Sequence, residues 1–290
     1  MTRYDGDPAP LRSVAATLAA EAAEFVRARR AEVFGAAAGA PGSGAVRSKS
    51  TPTDPVTVVD TETERLLRDR LAQLRPGEPI LGEEGGGPTG SAATADTVTW
   101  VLDPIDGTVN FVYGIPAYAV SVAAQVDGVS VAGAVADVVA GRVYSAASGV
   151  GAHVSDGRGP RALRCSAVDD LSMALLGTGF GYSRRRRATQ AALLARMLPV
   201  VRDVRRIGSA ALDLCMVAAG RLDAFYEHGL QVWDSAAGAL IAAEAGARVL
   251  LPAPNGPVGG AGLVVAAAPG IADELLAALE RFNGLEPIPD

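Results

Sequence analysis

The chain has 290 residues, 49% of them hydrophobic, enough to bury a large core in one large domain or two fused halves. A net charge of −6 and an isoelectric point near 5.1 argue against a general nucleic-acid binder. The N-terminal MTRYDGDPAP has no apolar signal region and no apolar run approaches the length of a membrane span, so a soluble cytoplasmic protein is expected, with Cys165 and Cys215 as core thiols of a reducing compartment.

Leu11 to Phe34 reads as a long amphipathic helix, with Leu11, Val14, Leu18, Ala22, Phe25 and Val33 at helical spacing between Arg and Glu. Gly35 to Ser50 is rich in Ala, Gly and Ser and reads as a loop, either a plain linker or a flap that brings Lys49 to an anionic substrate. Pro55 to Asp60 reads as a short strand. Thr61 and Glu64 then fit a capping box for a helix that runs to about Arg75, stopped by Pro76-Gly77. Asp60 sits at that helix entrance, where it could simply support the cap. From Pro79 to Gly87 an apolar strand ends in Glu83 and Glu84, followed by glycines. Acids in such a loop are usually solvated, yet this is also how a further carboxylate would be held near a metal pair.

The stretch Trp100-Val-Leu-Asp103-Pro-Ile105-Asp106-Gly107-Thr108-Val-Asn110-Phe111 is the centre of the chain. A buried strand breaks at Asp103-Pro104, two carboxylates stand three positions apart, and Gly107 permits a tight turn before the Thr108 hydroxyl. Hard cations such as Mg²⁺ want carboxylate and carbonyl oxygens, and Ile105 can turn its carbonyl the same way. Asp-Pro and Asp-Gly are also ordinary turn dipeptides, so this stretch alone leaves both readings open.

Tyr118 to Gln125, Val129 to Asp137 and Arg142 to Ala147 read as successive strands of an antiparallel sheet flanked by the first two helices. The second half alternates strands (Ala174–Thr178, Val201–Ile207, Leu222–Glu227, Arg248–Leu251, Leu263–Ala267) with helices (Arg187–Leu198, Ser209–Ala219, Ser235–Ala245, Ile271–Phe282), which implies a mixed sheet with helices on its faces. The division expected is 1–155 and 156–290. The basic run Arg184–Arg187 reads as a solvated helix start, with an anion or RNA contact as the alternative. Asp234 stands where a helix begins, a place that favours the ionised carboxylate a metal needs and that equally suits an ordinary capping aspartate.

Gly82-Glu83-Glu84, the Asp103–Phe111 segment and Trp233-Asp234-Ser-Ala-Ala-Gly238 together resemble the three signature motifs of the inositol monophosphatase family, in its order and spacing from Leu11 to about Phe282. Within it the chain most resembles the bacterial SuhB type, and the Ala- and Arg-rich composition points to the actinobacterial branch. The aspartyl-phosphate phosphatases need Asp-x-Asp, whereas this chain has Asp-x-x-Asp.

The resemblance implies a layered αβαβα sandwich, mixing α+β and α/β features, of the inositol monophosphatase and fructose bisphosphatase type. It implies a Mg²⁺-dependent, lithium-sensitive phosphatase for inositol 1-phosphate, cytoplasmic and homodimeric. Glu83, Asp103 and the Ile105 carbonyl would bind a first Mg²⁺. Asp103, Asp106 and Asp234 would bind a second, and a third, weaker ion would sit near Glu83. Thr108, oriented by Asp60, would help activate a water for in-line attack on phosphorus, the metals acidifying it and neutralising charge. Glu84 would steady the ligands from behind, together with Lys49. Substrate would meet Asp106, Gly107, Thr108, Ser209, Ala210, Asp234 and Glu227, the last accepting from inositol hydroxyls; its bland alternative is a surface strand-end acid. Val109 and Ser235 depart from the family pattern without removing a ligand side chain. Histidinol-phosphate phosphatases, nucleotide 3′-phosphatases and fructose bisphosphatases share these motifs. SuhB-like proteins are also partners of the transcription machinery, for which Arg184–Arg187 is a weak hook.

Overall fold

The computed structural model describes residues 6–35, 46–49, 55–87, 97–252 and 262–288. Of the Gly35–Ser50 stretch read as a linker or flap, residues 36–45 and 50 lie outside them.

Apolar residues spaced three and four apart make α1 (Ala9–Phe34) bury Leu11, Ala15, Leu18, Ala22 and Val26 on one stripe. β1 (Val46–Ser48) and β2 (Pro55–Thr57) pair antiparallel, and α2 (Val58–Leu74) follows directly. Its cap is one turn earlier than Thr61 and Glu64. Thr57 is the N-cap and Asp60 closes the box, because Thr57-x-x-Asp60 offers the same spacing and an earlier start buries Val59. Thr63 and Glu64 turn inward instead and are buried.

The first sheet runs β3 (Ile80–Gly82), β4 (Thr99–Asp106), β5 (Ala119–Val126), β6 (Val129–Asp137), β7 (Arg142–Ala147), β8 (Gly151–Asp156), β9 (Gly159–Ala162), in that order. Neighbours are antiparallel except β3 with β4, which are parallel. The last two strands extend the sheet beyond the three read from sequence. They are short, and their polar, partly exposed residues blur the alternation that marks a strand. A short helix, α3 (Thr108–Tyr113), connects β4 to β5.

The second sheet has the order β11-β10-β12-β14-β13, built from β10 (Leu175–Thr178), β11 (Asp203–Arg205), β12 (Ala224–His228), β13 (Arg248–Leu250) and β14 (Leu263–Ala267). It is mixed: β10 is parallel to β11 and β12, and β14 is antiparallel to β12 and β13. The helices are α4 (Arg184–Met197), α5 (Ala210–Ala218), α6 (Val232–Glu244) and α7 (Ala272–Arg281).

Side-chain alternation stacks these elements into five layers. Trp100, Leu102, Val120 and Val122 face α1 and α2. Val101, Ala119 and Ala123 face the other way, onto Leu212 and Cys215 of α5 and Ala237 and Ile241 of α6. The far sides of those two helices, at Leu214 and Ala242, meet Phe225 and Val264 of the second sheet. Ala224, Tyr226 and Val265 point onward to α4 and α7. α5 and α6 are thus buried on both sides, which is why they are apolar nearly all round. Small residues allow the close packing. A Cβ on Gly133 would lie 3.0 Å from Ala237 Cα, and one on Gly238 would lie 2.9 Å from Leu214. No helix among the described residues is long and apolar enough to cross a membrane.

Candidate active site

The site lies where β4 ends, beside the N-termini of α5 and α6. In a regular strand, residues three apart point to opposite faces, so Asp103 and Asp106 should diverge. They do not, because the β4–β5 register shifts between them: Asp103 pairs with Ser121 and Asp106 with Ala119. Three steps on one strand answer two on the other, a bulge at which Pro104 has no N–H to offer the ladder. The bulge turns both carboxylates into one cleft of about 920 Å³, with Asp103 Oδ1 accepting from Ile105 N at 3.0 Å. Gly107, with φ at +95°, then reverses the chain into α3, a conformation only glycine adopts without strain.

Asp234 reaches the same point from the third position of α6, three residues past the Gln231 cap. Its Oδ2 accepts from Gln231 N at 2.6 Å. Asp103, Asp106 and Asp234 each offer an oxygen within 4.8 Å of the others. Asp106 Oδ2 is also held by α5, accepting from Ser209 Oγ at 2.6 Å and Ala211 N at 2.7 Å. Ser209 caps that helix, and Ala210 beside it lines the cleft.

Glu83 lines the cleft but stands outside the tight trio, its Oε1 accepting from Lys49 Nζ at 2.7 Å. The same ammonium reaches Glu84. Thr108 Oγ1 lies 3.1 Å from Asp60 Oδ1 and 3.0 Å from the Ile105 carbonyl, within donating distance of both. Asp60 Oδ2 accepts from Thr57 N at 2.9 Å and from the Thr57 hydroxyl. Glu227 enters from the end of β12, pressed so closely on β10's exit that a Cβ on Gly179 would lie 1.9 Å from its Oε2.

Burial drives the electrostatics. It raises the Asp103 and Asp234 carboxyls well above the ordinary range, and the neighbouring charges of Glu83 and Asp106 push the same way. Asp106 is pushed up to about 6 by burial, against its bonds to Ser209 and Ala211. Asp60 rises to about 7, burial outweighing the Thr57 bonds, and Glu227 to about 8, burial outweighing Arg206. Burial depresses the Lys49 ammonium, but the charges and bonds of Glu83 and Glu84 carry it above its ordinary value. Among the described residues no ammonium or guanidinium pairs with the Asp103–Asp106–Asp234 trio. Crowded, largely buried, oxygen-only donors without a counter-charge fit a hard divalent cation.

A family model described as the inositol monophosphatase family matches residues 7–284. The chain belongs to the inositol monophosphatase family. It is therefore an enzyme, a phosphatase. It is 82% identical to an inositol-1-monophosphatase of Mycobacterium leprae over the whole of both chains. A solved structure of Mycobacterium tuberculosis SuhB superposes with a TM-score of 0.82 at 70% identity, covering 97% of this chain and all of that one. A protein named Nus factor SuhB from Pasteurella multocida is 39% identical over 79% of this chain and 83% of its own.

Several residues of this family member's site were not singled out from sequence. Glu64 braces the Glu83–Glu84 loop: its carboxylate accepts from Glu84 N at 2.7 Å and Gly85 N at 2.8 Å, and pairs with Arg68 at 2.8 Å. Arg68 in turn donates to the Gly86 carbonyl. Glu64 and Arg68 are one turn apart on α2, and a buried Glu–Arg pair at that spacing was the available signal. Asn110 ties α3 to the approach of α5, its amide donating to the Ala117 and Ile207 carbonyls at 2.7 and 2.9 Å. Arg206 lines the cleft near Glu227, and nothing local in the sequence marks it.

Proposed function

We propose that this phosphatase is a Mg²⁺-dependent phosphomonoesterase that hydrolyses inositol 1-phosphate and related small polyol monophosphates to the free polyol and inorganic phosphate. The observation that carries the reading is the convergence of Asp103, Asp106 and Asp234 within 4.8 Å, Asp103 buried and the other two largely so, with no basic partner among the described residues. Glu83, Asp103 and the Ile105 carbonyl would hold one Mg²⁺, and Asp103, Asp106 and Asp234 a second, with a third, weaker ion near Glu83. When bound, such ions neutralise phosphate charge, lower the pKa of water and stabilise the leaving oxygen.

The chain's own groups do the rest. With its hydrogen directed to Asp60, Thr108 Oγ1 keeps lone pairs for the hydrogen of an attacking water. The water oxygen bonds to phosphorus in line with the ester oxygen. The P–O(polyol) bond breaks, the proton released by the water passes by way of Thr108 toward Asp60, and the leaving alkoxide takes up a proton from solvent in its place. No covalent phospho-enzyme is required. Lys49 and Glu84 hold Glu83 in place. Gly107, Thr108 and Ala210 line the substrate's side of the cleft with Ser209 just behind them, and Asp106 and Glu227 would accept from its hydroxyls. On family grounds the reading extends to lithium sensitivity, a cytoplasmic homodimer, and halves meeting near residue 155.

The test is phosphate release from inositol 1-phosphate, histidinol phosphate, adenosine 3′,5′-bisphosphate and fructose 1,6-bisphosphate, with and without Mg²⁺, by the natural chain and Glu227→Gln. Turnover that requires Mg²⁺, is strongest on inositol 1-phosphate and is weakened by Glu227→Gln is expected. A preference for another substrate overturns the pocket assignment and leaves the metal site. The likeness to a Nus factor supports a second reading, a partner role in a transcription complex. Turnover on none of the four substrates would put that role first.

A further inference from the structure

The basic run Arg184–Arg187 is absorbed by its surroundings: Arg186 is buried, its Nε donating to the Ile288 carbonyl at 2.9 Å, and Arg184 and Arg187 line the active-site cleft. A second group of arginines is scattered in the sequence and gathered by the first sheet. Tyr144 of β7 pairs with Val154 of β8, and Val154 with Arg161 of β9, so the three share one face. Arg142, two residues before Tyr144, shares it as well. On that face Tyr144 and Val154 pack against Leu212, Cys215 and Ala218 of α5. Where the packing ends, Arg164 follows β9 and Arg221 follows α5, and the four arginines surround a pocket of about 250 Å³. No residue lines both this pocket and the active-site cleft, which lies at the other end of α5.

The pocket is strongly positive in a chain whose net charge is −6. Arg161 pairs with Asp156 at 2.8 Å, and the other oxygen of Asp156 accepts from Arg158 N. Among the described residues Arg142, Arg164 and Arg221 form no ion pair. Tyr144 is only 3% exposed, and its hydroxyl is bonded by Arg142. A guanidinium can only donate, so the phenol's own hydrogen is left for an acceptor in the pocket. A helix C-terminus ordinarily disfavours an anion, but here the last carbonyls are occupied: Cys215, Met216 and Val217 accept from the N–H groups of Ala219, Arg221 and Gly220. Like charges brought together and left without counter-charge repel until an anion joins them. Guanidinium and phenol donors suit an oxyanion, and a volume below the roughly 300–1,000 Å³ of drug-sized sites suits phosphate or a small ester of it.

We propose that Arg142, Arg164 and Arg221, with the Tyr144 hydroxyl, form a second, non-catalytic site that binds a phosphate dianion, free or carried on a small ester. The site does not depend on the proposed phosphomonoesterase activity.

The experiment is calorimetric titration of the full chain in EDTA, where the metal-free carboxylates of the cleft repel anions, with about 0.15 M salt to screen diffuse attraction. Inorganic phosphate and glycerol 3-phosphate are titrated separately into the natural chain, the double variant Arg164→Gln/Arg221→Gln, and Arg187→Gln as a control for the cleft. Both arginines of the double variant are exposed, so it keeps the fold. We expect a dissociation constant of about 1 mM or below, weakened at least about tenfold in the double variant and unchanged in the control. Tighter binding of phosphate or of the ester identifies which is the ligand, and either result supports the site. No binding to the natural chain, equal affinity in the double variant, or a loss confined to Arg187→Gln would overturn it. Phosphate should also raise the melting temperature of the natural chain in EDTA and leave that of the double variant in place. An equal rise in both would count against the pocket.

Discussion

On the cleft wall built from α2, β3 and β4, the buried and half-buried carboxylates have partners within the protein. Glu64 takes two backbone N–H groups and Arg68, Asp60 takes Thr57 and Thr108, and Glu83 and Glu84 share Lys49. On the wall built from α5, β12 and α6 they are nearly bare. Asp213 Oδ1 is buried with no hydrogen-bond partner, Asp234 has the Gln231 N–H, and no hydrogen bond reaches the Glu227 carboxylate among the described residues. Arg206 is the cation that acts on Glu227 and Asp213 there. A buried carboxylate with few donors is unstable as an anion, so this second wall is completed by what binds to it, cation charge and polyol hydroxyls. The first wall is preformed and the second waits for its ligands.

The largest expected effect comes from Asp103, where the two walls meet. Asp103→Asn should lower phosphate release by at least about a thousandfold, the loss of several kcal/mol of charge stabilisation. In EDTA the same variant should melt at a higher temperature than the natural chain, since one of three crowded carboxylates is gone. A lower melting temperature would contradict the crowding.

Breaking the braced wall should act on affinity. Glu64→Gln keeps the size but loses the charge that holds the Glu83–Glu84 loop and Arg68. The Mg²⁺ concentration for half-maximal activity should rise about 10–100-fold, with kcat recovering at saturating Mg²⁺. Unchanged Mg²⁺ dependence would show that the brace does not position Glu83.

The smallest effect sharpens the comparison through pH. In the folded, metal-free chain Glu227 titrates near 8, Asp60 near 7 and Asp106 near 6, against ordinary values of 4.5, 3.8 and 3.8. Between each pair of values the folded chain holds a proton that the unfolded chain has released, so stability falls as pH rises through that window. Melting in EDTA should therefore rise as pH is lowered from 8 toward 5, by about 2–4 °C for each kcal/mol recovered. Excess Mg²⁺ should flatten the slope. A melting temperature that climbs with pH in EDTA would mean that these acids are ionised and compensated inside the fold.

Much of the architecture was readable because it is local. The helical stripe of α1, the alternating strands β5 to β7 and the apolar α5 and α6 announce themselves through periodicity. Errors arose where two local solutions compete. Thr57-x-x-Asp60 and Thr61-x-x-Glu64 have equivalent cap spacing, and burial of Val59 and Glu64 chose the first. Strand β11 is Asp203–Arg205 rather than Val201–Ile207, and α4 begins at Arg184 rather than Arg187, because Ser183 supplies the cap. The run Arg184–Arg187 read as one solvated patch, whereas packing gives its members different surroundings.

By itself the sequence determined the chemistry available: hard oxygen donors at Glu83, Asp103, Asp106 and Asp234, a hydroxyl at Thr108, and the periodicities that place them at the ends of strands and helices. Residue types and short spacings carry that information because caps, turns and strand ends are made by neighbours in the chain. Only the tertiary structure decided which of those acids meet. Asp103 and Asp106 share a face because a bulge adds a residue against β5. Asp234 joins them because α6 is clamped between two sheets, and Glu227 reaches the cleft because Gly179 leaves room for it. Each of these depends on surfaces contributed by distant segments, and a buried charge is tolerated only where that packing and a counter-ion together offset its desolvation.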